Sequence, residues 1–307
     1  MPPGISAGGF AGLAHETTPG VYAAPTKYFP FNSESLAWAQ DVTFRRPIRQ
    51  TADQIGAIQG NASVAGDLSM EALEDVVPYF LYCARTTPVK TGTTNYVYTF
   101  KPTAAAIPPR TMSITVVRNG QVFGYVGLVV SSFTFTIDNG ELMFNVSLIG
   151  RDEASQAAPT PSFVNTVPFA LGQFTPKVAG ATITDADTFS FTVDDGGAAQ
   201  NRIMPTRGAA FVSYGERTVT ASMDRDFQDR TDYDSFKALT VQAVHLDAIK
   251  GTNNQITIDV PVGIRSEYTV ALGGQGDLLR ATNSWTGVID ATGNAYTITV
   301  LCQESIT

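Results

Sequence analysis

The stretch Gln121–Gly150, QVFGYVGLVVSSFTFTIDNGELMFNVSLIG, predicts two long antiparallel strands joined by a tight turn. Asn139-Gly140 is the dipeptide most favoured in a two-residue type I′ turn. The cross-strand pairs predicted by folding about this turn are Ile137 with Leu142, Phe135 with Phe144, Phe133 with Val146, Thr136 with Met143, Thr134 with Asn145 and Ser132 with Ser147. Because side chains alternate between the faces of a strand, a slip of one residue would exchange the faces, so the pattern specifies this register.

The two faces of this hairpin differ in chemistry. The face expected to pack into the core is apolar and holds Phe133, Phe135, Ile137, Phe144 and Val146. The opposite face is short, polar and uncharged and holds Ser132, Thr134, Thr136, Asn145 and Ser147. Apolar residues also stand at the odd positions Phe123, Tyr125 and Val129. They extend the first strand from Gln121 to Asp138, roughly 50–60 Å at about 3.3 Å per residue, with a bend or bulge expected at Gly124 or Gly127.

The whole-chain composition is globular and acidic. Of 307 residues, 43% are hydrophobic and 16% are charged, and the net charge is −8. Tight binding of nucleic acid needs clustered Lys and Arg, so this class of function is disfavoured. The two cysteines, Cys83 and Cys302, make no disulfide framework and are expected to be free and buried. The first ten residues do not resemble a secretory signal, and no apolar run reaches the length of a membrane helix. We therefore expect a protein without a membrane anchor that is made in the cytoplasm.

The remaining pattern predicts a mainly β, antiparallel sandwich or barrel with one main helix and long central hairpins. The helix is expected over Met70–Arg85, kinked or divided at Pro78, and a second short helix over Asp232–Leu239. Residues 1–32 form an expected N-terminal arm and residues 33–307 a single β domain. Within that domain, residues 45–66 are expected to be a long loop and residues 151–187 an insertion or excursion. No repeat with a solenoid or propeller period is visible.

A search for chemistry finds no catalytic set. His15 and His245 have no metal-ligand partners at suitable spacing, and the nucleophile and phosphate-binding motifs are missing from the sequence. The acidic cluster Asp224–Asp234 departs from the spacing of a calcium loop, and Arg225 and Arg230 lie within it. We favour a solvated, ion-paired loop over a calcium site there. The sequence predicts neither an enzyme nor a cofactor.

The order of arm, strand, polar loop, helix and long hairpins resembles the tail tube (major tail) protein of long-tailed, siphovirus-type bacteriophages. The segments that carry the resemblance are Glu34–Phe44 leading into Arg45-Arg46-Pro47-Ile48-Arg49, Gly66-Asp67-Leu68-Ser69-Met70 leading into Leu73–Leu81, Leu128–Asp152, and Asp232–Phe236. Residues 151–187 are longer than compact members of that family need.

The resemblance implies a structural virion protein that forms hexameric rings stacked into a hollow tube, through which the genome leaves the capsid. A four-stranded sheet from each subunit would line the lumen, with Ser132, Thr134, Thr136, Asn145 and Ser147 facing the passing DNA. The long loop, with Arg45, Arg46, Arg49, Asp53, Gln54 and Gln59, and the N-terminal arm would bind the adjacent ring. The implied partners are further copies of the chain and the tape-measure, baseplate or distal tail, and tail terminator proteins.

Two other classes of protein remain open at this stage. A tail terminator or a capsid-decorating protein would share a β fold but would form single rings or monomers. A carbohydrate-binding sandwich would need exposed aromatic residues, and Trp38 and Trp285 are the candidates. Core packing is the favoured interpretation for both tryptophans.

Overall fold

The hairpin around Asn139-Gly140 has the predicted register at all six predicted pairs in the computed structural model of the chain. Asn139 and Gly140 have φ values of 48° and 84°, as a type I′ turn requires. The first strand runs unbroken from Gln121 to Asp138, as predicted. The structure describes residues 8–48, 50, 53–108, 110–154, 156–163, 166–203, 205–270, 272 and 277–306.

The described residues of the first half of the chain form eleven strands and one helix. They are Phe10–His15 (β1), Lys27–Phe29 (β2), Ser33–Glu34 (β3), Ala37–Arg45 (β4), Gly56–Glu71 (β5), Val77–Tyr82 (α1), Thr86–Thr91 (β6), Tyr96–Pro102 (β7), Met112–Arg118 (β8), Gln121–Asp138 (β9), Glu141–Gly150 (β10) and Asp152–Ala154 (β11).

In the second half, the part of the chain that the structure describes forms ten strands and one helix. They are Phe174–Val178 (β12), Ala181–Thr182 (β13), Ala186–Asp194 (β14), Ala198–Gln200 (β15), Phe211–Ser213 (β16), Thr218–Asp226 (β17), Thr231–Lys237 (α2), Val241–Gly251 (β18), Asn254–Val270 (β19), Arg280–Gly287 (β20) and Thr297–Cys302 (β21). The mainly antiparallel β fold expected from the sequence is confirmed.

One open sheet contains nineteen of these strands, and β15 and β16 form a separate pair. Its main series runs β4–β5–β10–β9–β14–β17–β20–β19, with every neighbouring pair antiparallel. The first half of β9 leaves this series to pair with β8 and β11. The first half of β19 likewise pairs with β18 and β21. The long strands therefore connect the main series to the strands that cover its apolar face.

The core lies behind the apolar face of the β9–β10 hairpin. Phe133, Phe135 and Phe144 are buried, and the ring centroids of Phe135 and Phe144 are 4.8 Å apart. The ring centroids of Phe133 and of Phe191 in β14 are 6.3 Å apart, so the same core continues beneath the next strand. Burying each of these rings contributes a few kcal/mol, about 25 cal/mol per Å² of apolar surface. Trp285 is also fully buried, as predicted.

The odd-numbered apolar pattern of β9 is wrong at one place. Ser131 is an extra residue between the pairs that β9 makes with β10. Such a bulge reverses which side of the strand faces the core. Val129 consequently packs with Val212 and Tyr214 in a second, small cluster, separate from Phe133.

The main helix is shorter than the predicted Met70–Arg85. Met70 and Glu71 still belong to β5, and the helix covers only Val77–Tyr82. Pro78 lies in its first turn, where a missing N–H costs nothing, so it begins the helix and does not kink it.

The described part of the N-terminal arm, expected over residues 1–32, packs against the chain itself. From Phe10 onward it pairs with β8, and Leu13 and Phe29 are fully buried in the core of the chain. Glu16 accepts hydrogen bonds from Thr111, Ser113 and the backbone of Gly127. The described part of the arm thus pairs within the chain and covers the edge of β8, which would otherwise be unpaired.

The predicted loop over residues 45–66 is also shorter. Arg45 ends β4 and Gly56 begins β5, so most of the segment is a two-stranded extension. The expected excursion over residues 151–187 contains β11, β12, β13 and the start of β14. No helix among the described residues is long and apolar enough to cross a membrane.

Candidate functional site

The predicted polar face lies on the side of the main sheet opposite the aromatic core. Its predicted residues, Ser132, Thr134, Thr136, Asn145 and Ser147, are all half-buried and lie together on β9 and β10. The structure therefore brings these predicted site residues together.

This face extends far beyond the hairpin, across six neighbouring strands. One cross-strand row consists of Ser69, Asn145, Thr134, Thr192, Thr220 and Thr286. The next row consists of Glu71, Met143, Thr136, Ser190, Ser222 and Ser284. A third row consists of Asp67, Ser147, Ser132, Asp194 and Thr218. We name the residues of these three rows the polar face.

The polar face carries only negative charge. Its ionisable residues are Glu71, Asp67 and Asp194, and Asp67 accepts a hydrogen bond of 2.6 Å from Ser147. The side-chain oxygens of Thr134 and Thr192 are 3.0 Å apart across β9 and β14. Short hydroxyl side chains that bond to one another offer a polyanion neither cations nor aromatic stacking surfaces.

Four of the six strands of the polar face were not assigned to it from the sequence. A signal was present, because Phe189, Phe191 and Val193 alternate with Ser190 and Thr192. The same alternation marks Thr218–Ser222. What the sequence lacked was a short turn connecting these strands to β9, so their neighbours could not be derived.

The second candidate surface is the β4–β5 hairpin, which we define as residues 41–60. Arg45 and Gln59 lie in its strands, whereas Arg46, Asp53 and Gln54 lie in the connection, and all are exposed. Arg49 lies outside the described residues. The hairpin also exposes large apolar side chains, namely Val42, Phe44, Ile48, Ile55 and Ile58. A two-stranded hairpin exposed on both faces is only marginally stable in water. The exposed apolar side chains of this hairpin are typical of a surface that contacts another protein.

Buried ion pairs join distant parts of the chain. Lys27 is 4% exposed and binds Asp75 at 2.8 Å and also Glu304. Asp195 is buried beside Arg217, at 2.6 Å, and burial raises the pKa of its carboxyl. Each carboxylate has a cationic partner inside the fold, which makes these clusters structural.

The histidines and the acidic cluster have ordinary partners. His15 bonds the carbonyl of Tyr79 at 3.0 Å, and burial lowers its pKa. His245 lies between Asp259 and Asp247, and the Asp259 carboxylate is the main cause of its raised pKa. Within the described residues no group of His, Cys, Asp or Glu is arranged to hold a metal ion.

The acidic cluster is ion-paired, as predicted for its arginines. Arg225 binds Asp232 at 3.1 Å and Asp185 at 3.2 Å, and Arg230 lies 3.8 Å from Asp234. Cys83 and Cys302 are free and buried, also as predicted.

A family model for the phage tail tube protein matches residues 6–287. The chain therefore belongs to the phage tail tube family. This membership implies a structural role in the virion tail. No curated protein sequence gives a significant match to the chain.

Proposed function

We propose that copies of this chain close into rings, that the rings stack into the hollow tail tube, and that the genome passes through it into the host. The observation that carries this proposal is the polar face, which spans six strands and holds no Lys or Arg in its three rows. The resemblance implies a ring of six subunits with one four-stranded sheet from each, and we retain the six sheets.

In this proposal the polar face lines the lumen, including Ser132, Thr134, Thr136, Asn145 and Ser147. Charge–charge repulsion from Glu71, Asp67 and Asp194 would keep phosphates from adhering to the wall. Duplex DNA would pass without specific binding, since nothing on these rows pairs with a phosphate or a base edge.

The β4–β5 hairpin and the N-terminal segment would contact the adjacent ring. Exposed Phe44 and Ile58 would supply apolar contact area there, and Arg45, Arg46, Arg49, Asp53, Gln54 and Gln59 a polar rim. The tube ends would contact the tape-measure, baseplate or distal tail, and tail terminator proteins. Synthesis and assembly would take place in the bacterial cytoplasm.

Two experiments test this function. Electron microscopy of the concentrated protein is expected to show filaments with a ring repeat, whereas single rings or monomers would favour a terminator or decorating protein. Phage particles with Thr134→Arg and Asn145→Arg are expected to assemble and to release DNA more slowly, because arginines in the lumen bind phosphates. Added salt should relieve this delay. The neutral pair Thr134→Gln and Asn145→Gln is the control, and normal release from the arginine particles would contradict the lumen assignment.

A further inference from the structure

Seven strand pairings of the first half of the chain recur in the same order in the second half, whereas β3, β6, β7, β15 and β16 have no counterpart. We name β1–β11 with α1 the first unit, and β12–β21 with α2 the second unit. The matching pairs are β1–β2 and β12–β13, β1–β8 and β12–β18, β4–β5 and β14–β17, β5–β10 and β17–β20, β8–β9 and β18–β19, β9–β10 and β19–β20, and β9–β11 and β19–β21. In each unit the helix follows the strand that pairs with the second strand of the long hairpin. The helix α1 follows β5, which pairs with β10, and α2 follows β17, which pairs with β20.

The irregularities of the two units also coincide. Ser131 is an extra residue of β9 opposite the step Ser147–Leu148 of β10. Ser266 is an extra residue of β19 opposite the step Ser284–Trp285 of β20. Bulges are specific local features and do not recur at one position of a topology by general β propensity.

A second register shift repeats in the same way. The shift lies where β8 pairs with β9 and where β18 pairs with β19. Across it the first strand advances by two residues and the second strand by three. The pairs on the two sides of the shift are Met112 with Leu128 and Ile114 with Tyr125, and Gln242 with Gly263 and Val244 with Val260. In each long strand this shift begins three residues before the extra serine. The chain therefore contains two copies of one structural unit.

The two units are joined edge to edge inside the chain. The second half of β9, the edge of the first unit, pairs antiparallel with β14, the edge of the second. On the inner side Phe135 lies opposite Phe191, and both are fully buried. On the outer side Thr134 lies opposite Thr192. The joint is thus a continuous part of the sheet and of the core.

The same two edges recur, unpaired, at the ends of the main series. Among the described residues, β19 beyond Ile264 pairs with β20 alone, and β3 and β4 pair with β5 alone. Glu267 and Thr269 are exposed on one edge, and Ala37 and Ala39 on the other. An unpaired edge with small or β-prone residues is a template for another strand.

We propose that β19 of one chain pairs with β3–β4 of a second copy, as β9 pairs with β14, and that three chains close the ring. This rests on the proposed tube function. The eight strands of the main series alternate in direction, so the β4 that follows β19 is antiparallel to it, as the internal joint requires. A ring of six four-stranded sheets then contains three chains, since each chain supplies two.

The size of the lumen supports three chains. With strands about 4.8 Å apart and tilted by about 40°, the 24 strands of three chains enclose about 48 Å between backbones. Side chains on both walls leave roughly 38 Å of this width. The 16 strands of two chains would leave only about 22 Å, too little for a hydrated duplex. Three is thus the smallest number of chains that admits DNA.

The register of the joint between chains follows from the internal one. We align the two units at the ends of β5 and β17, so that Glu71 corresponds to Asp226. Following the cross-strand pairs from these residues, Ala37 corresponds to Thr192. The same alignment makes Thr269 the counterpart of Thr134. Ala37 of one chain should therefore face Thr269 of the next, at a Cα distance that a disulfide can bridge.

The test is a cross-link in assembled filaments of the full chain. The double variant Ala37→Cys with Thr269→Cys is assembled, oxidised and separated under denaturing, non-reducing conditions. We expect bands of one, two and three chains and none larger. The single variants should give no such ladder, and Thr134→Cys with Thr192→Cys should cross-link within one chain. The pair Ala39→Cys with Thr269→Cys, two residues out of register, should give a lower yield.

Other results would overturn the proposal. A ladder that continues to six chains would mean that each chain supplies one sheet. Filaments whose double variant gives no more cross-link than the single variants would mean that these edges are not joined. Wild-type filaments provide a second measurement that needs no variant, because the density around the ring should repeat three times, not six. A chain that forms no filaments at all would contradict the proposed function itself.

Discussion

The side-chain oxygens of Thr134 and Thr192 lie 3.0 Å apart, one hydrogen bond across the boundary between the two units. Thr192 is also paired with Thr220 and Thr134 with Asn145, so the bond lies in the middle of a polar row. Directly behind it Phe135 and Phe191 are fully buried. The boundary between the units is therefore bonded on one face of the sheet and packed on the other.

Replacing Thr134 with Val tests the hydroxyl side of this boundary. We expect a loss of about 0.5–1.5 kcal/mol in the free energy of unfolding, because the partner hydroxyl of Thr192 loses its bond. Thr136→Val is the matched control one row away, where no side-chain bond joins it to Ser190 in the described structure. Equal effects of the two changes in urea unfolding would show that the bond contributes nothing.

Replacing Phe135 with Ala tests the packed side. The ring is fully buried against Phe144, so truncation leaves a cavity and should cost about 3–5 kcal/mol. Circular dichroism during heating should show a clearly lower melting temperature. A variant as stable as the wild type would mean that the core collapses around the missing ring.

The exposed aromatic ring of Phe44 should behave in the opposite way. Its side chain is 57% exposed, so Phe44→Ser should change the unfolding free energy by less than about 0.5 kcal/mol. If the β4–β5 hairpin contacts the adjacent ring, the same change should raise the protein concentration needed for filament formation. Light scattering measures this concentration, with Thr43→Ser on the opposite face of β4 as the control. Unchanged assembly would remove Phe44 from the interface.

The pH dependence of stability should contain opposite contributions from the two histidines. Asp259 raises the pKa of His245, so His245 stabilises the fold below the unfolded pKa of about 6.5. This contribution is lost as pH rises through the folded pKa. Burial lowers the pKa of His15, so its contribution is present above about 6.5 and lost as pH falls.

Single variants separate these two contributions. His245→Gln should remove the decline in stability on the alkaline side, and His15→Gln the decline on the acid side. Chemical unfolding between about pH 5 and pH 8.5 covers both windows. A pH profile that neither substitution alters would mean that other groups control it.

The two thiols should react slowly in the folded protein. Burial raises the pKa of Cys83, and burial raises that of Cys302 to about 11. Both are fully buried, so a thiol reagent at pH 8 should modify them only after denaturation. Rapid labelling of the native chain would indicate local opening around α1 or β21.

The β9–β10 hairpin was predictable because its turn is two residues long and its faces differ sharply. Asn139-Gly140 permits one register, and alternation from Ser132 to Ser147 confirms it from both strands. The helix prediction was longer than the structure because Met70, its first residue, also fits the alternating pattern of β5 together with Leu68, which the 3.6-residue period obscured.

The duplication could not be detected from the sequence. At corresponding positions the two units hold different residues, such as Val130 and Arg265, or Ser132 and Glu267. Strand pairing is formed by backbone groups, which every residue except proline supplies in full. The register of the sheet is therefore retained where side chains have diverged.

The two units differ in the segment that projects from the sheet. The first unit extends β4 and β5 outward, whereas in the second unit the corresponding described residues, 195–203 and 205–217, fold back, with Val212 and Tyr214 buried. In a ring of three chains, these extended hairpins would alternate with the folded-back segments. A ring placed on top would fit after a third of a turn but not after a sixth. The rotation between neighbouring rings of the tube would be restricted in the same way. The duplication would therefore fix how each ring is rotated relative to the ring below it.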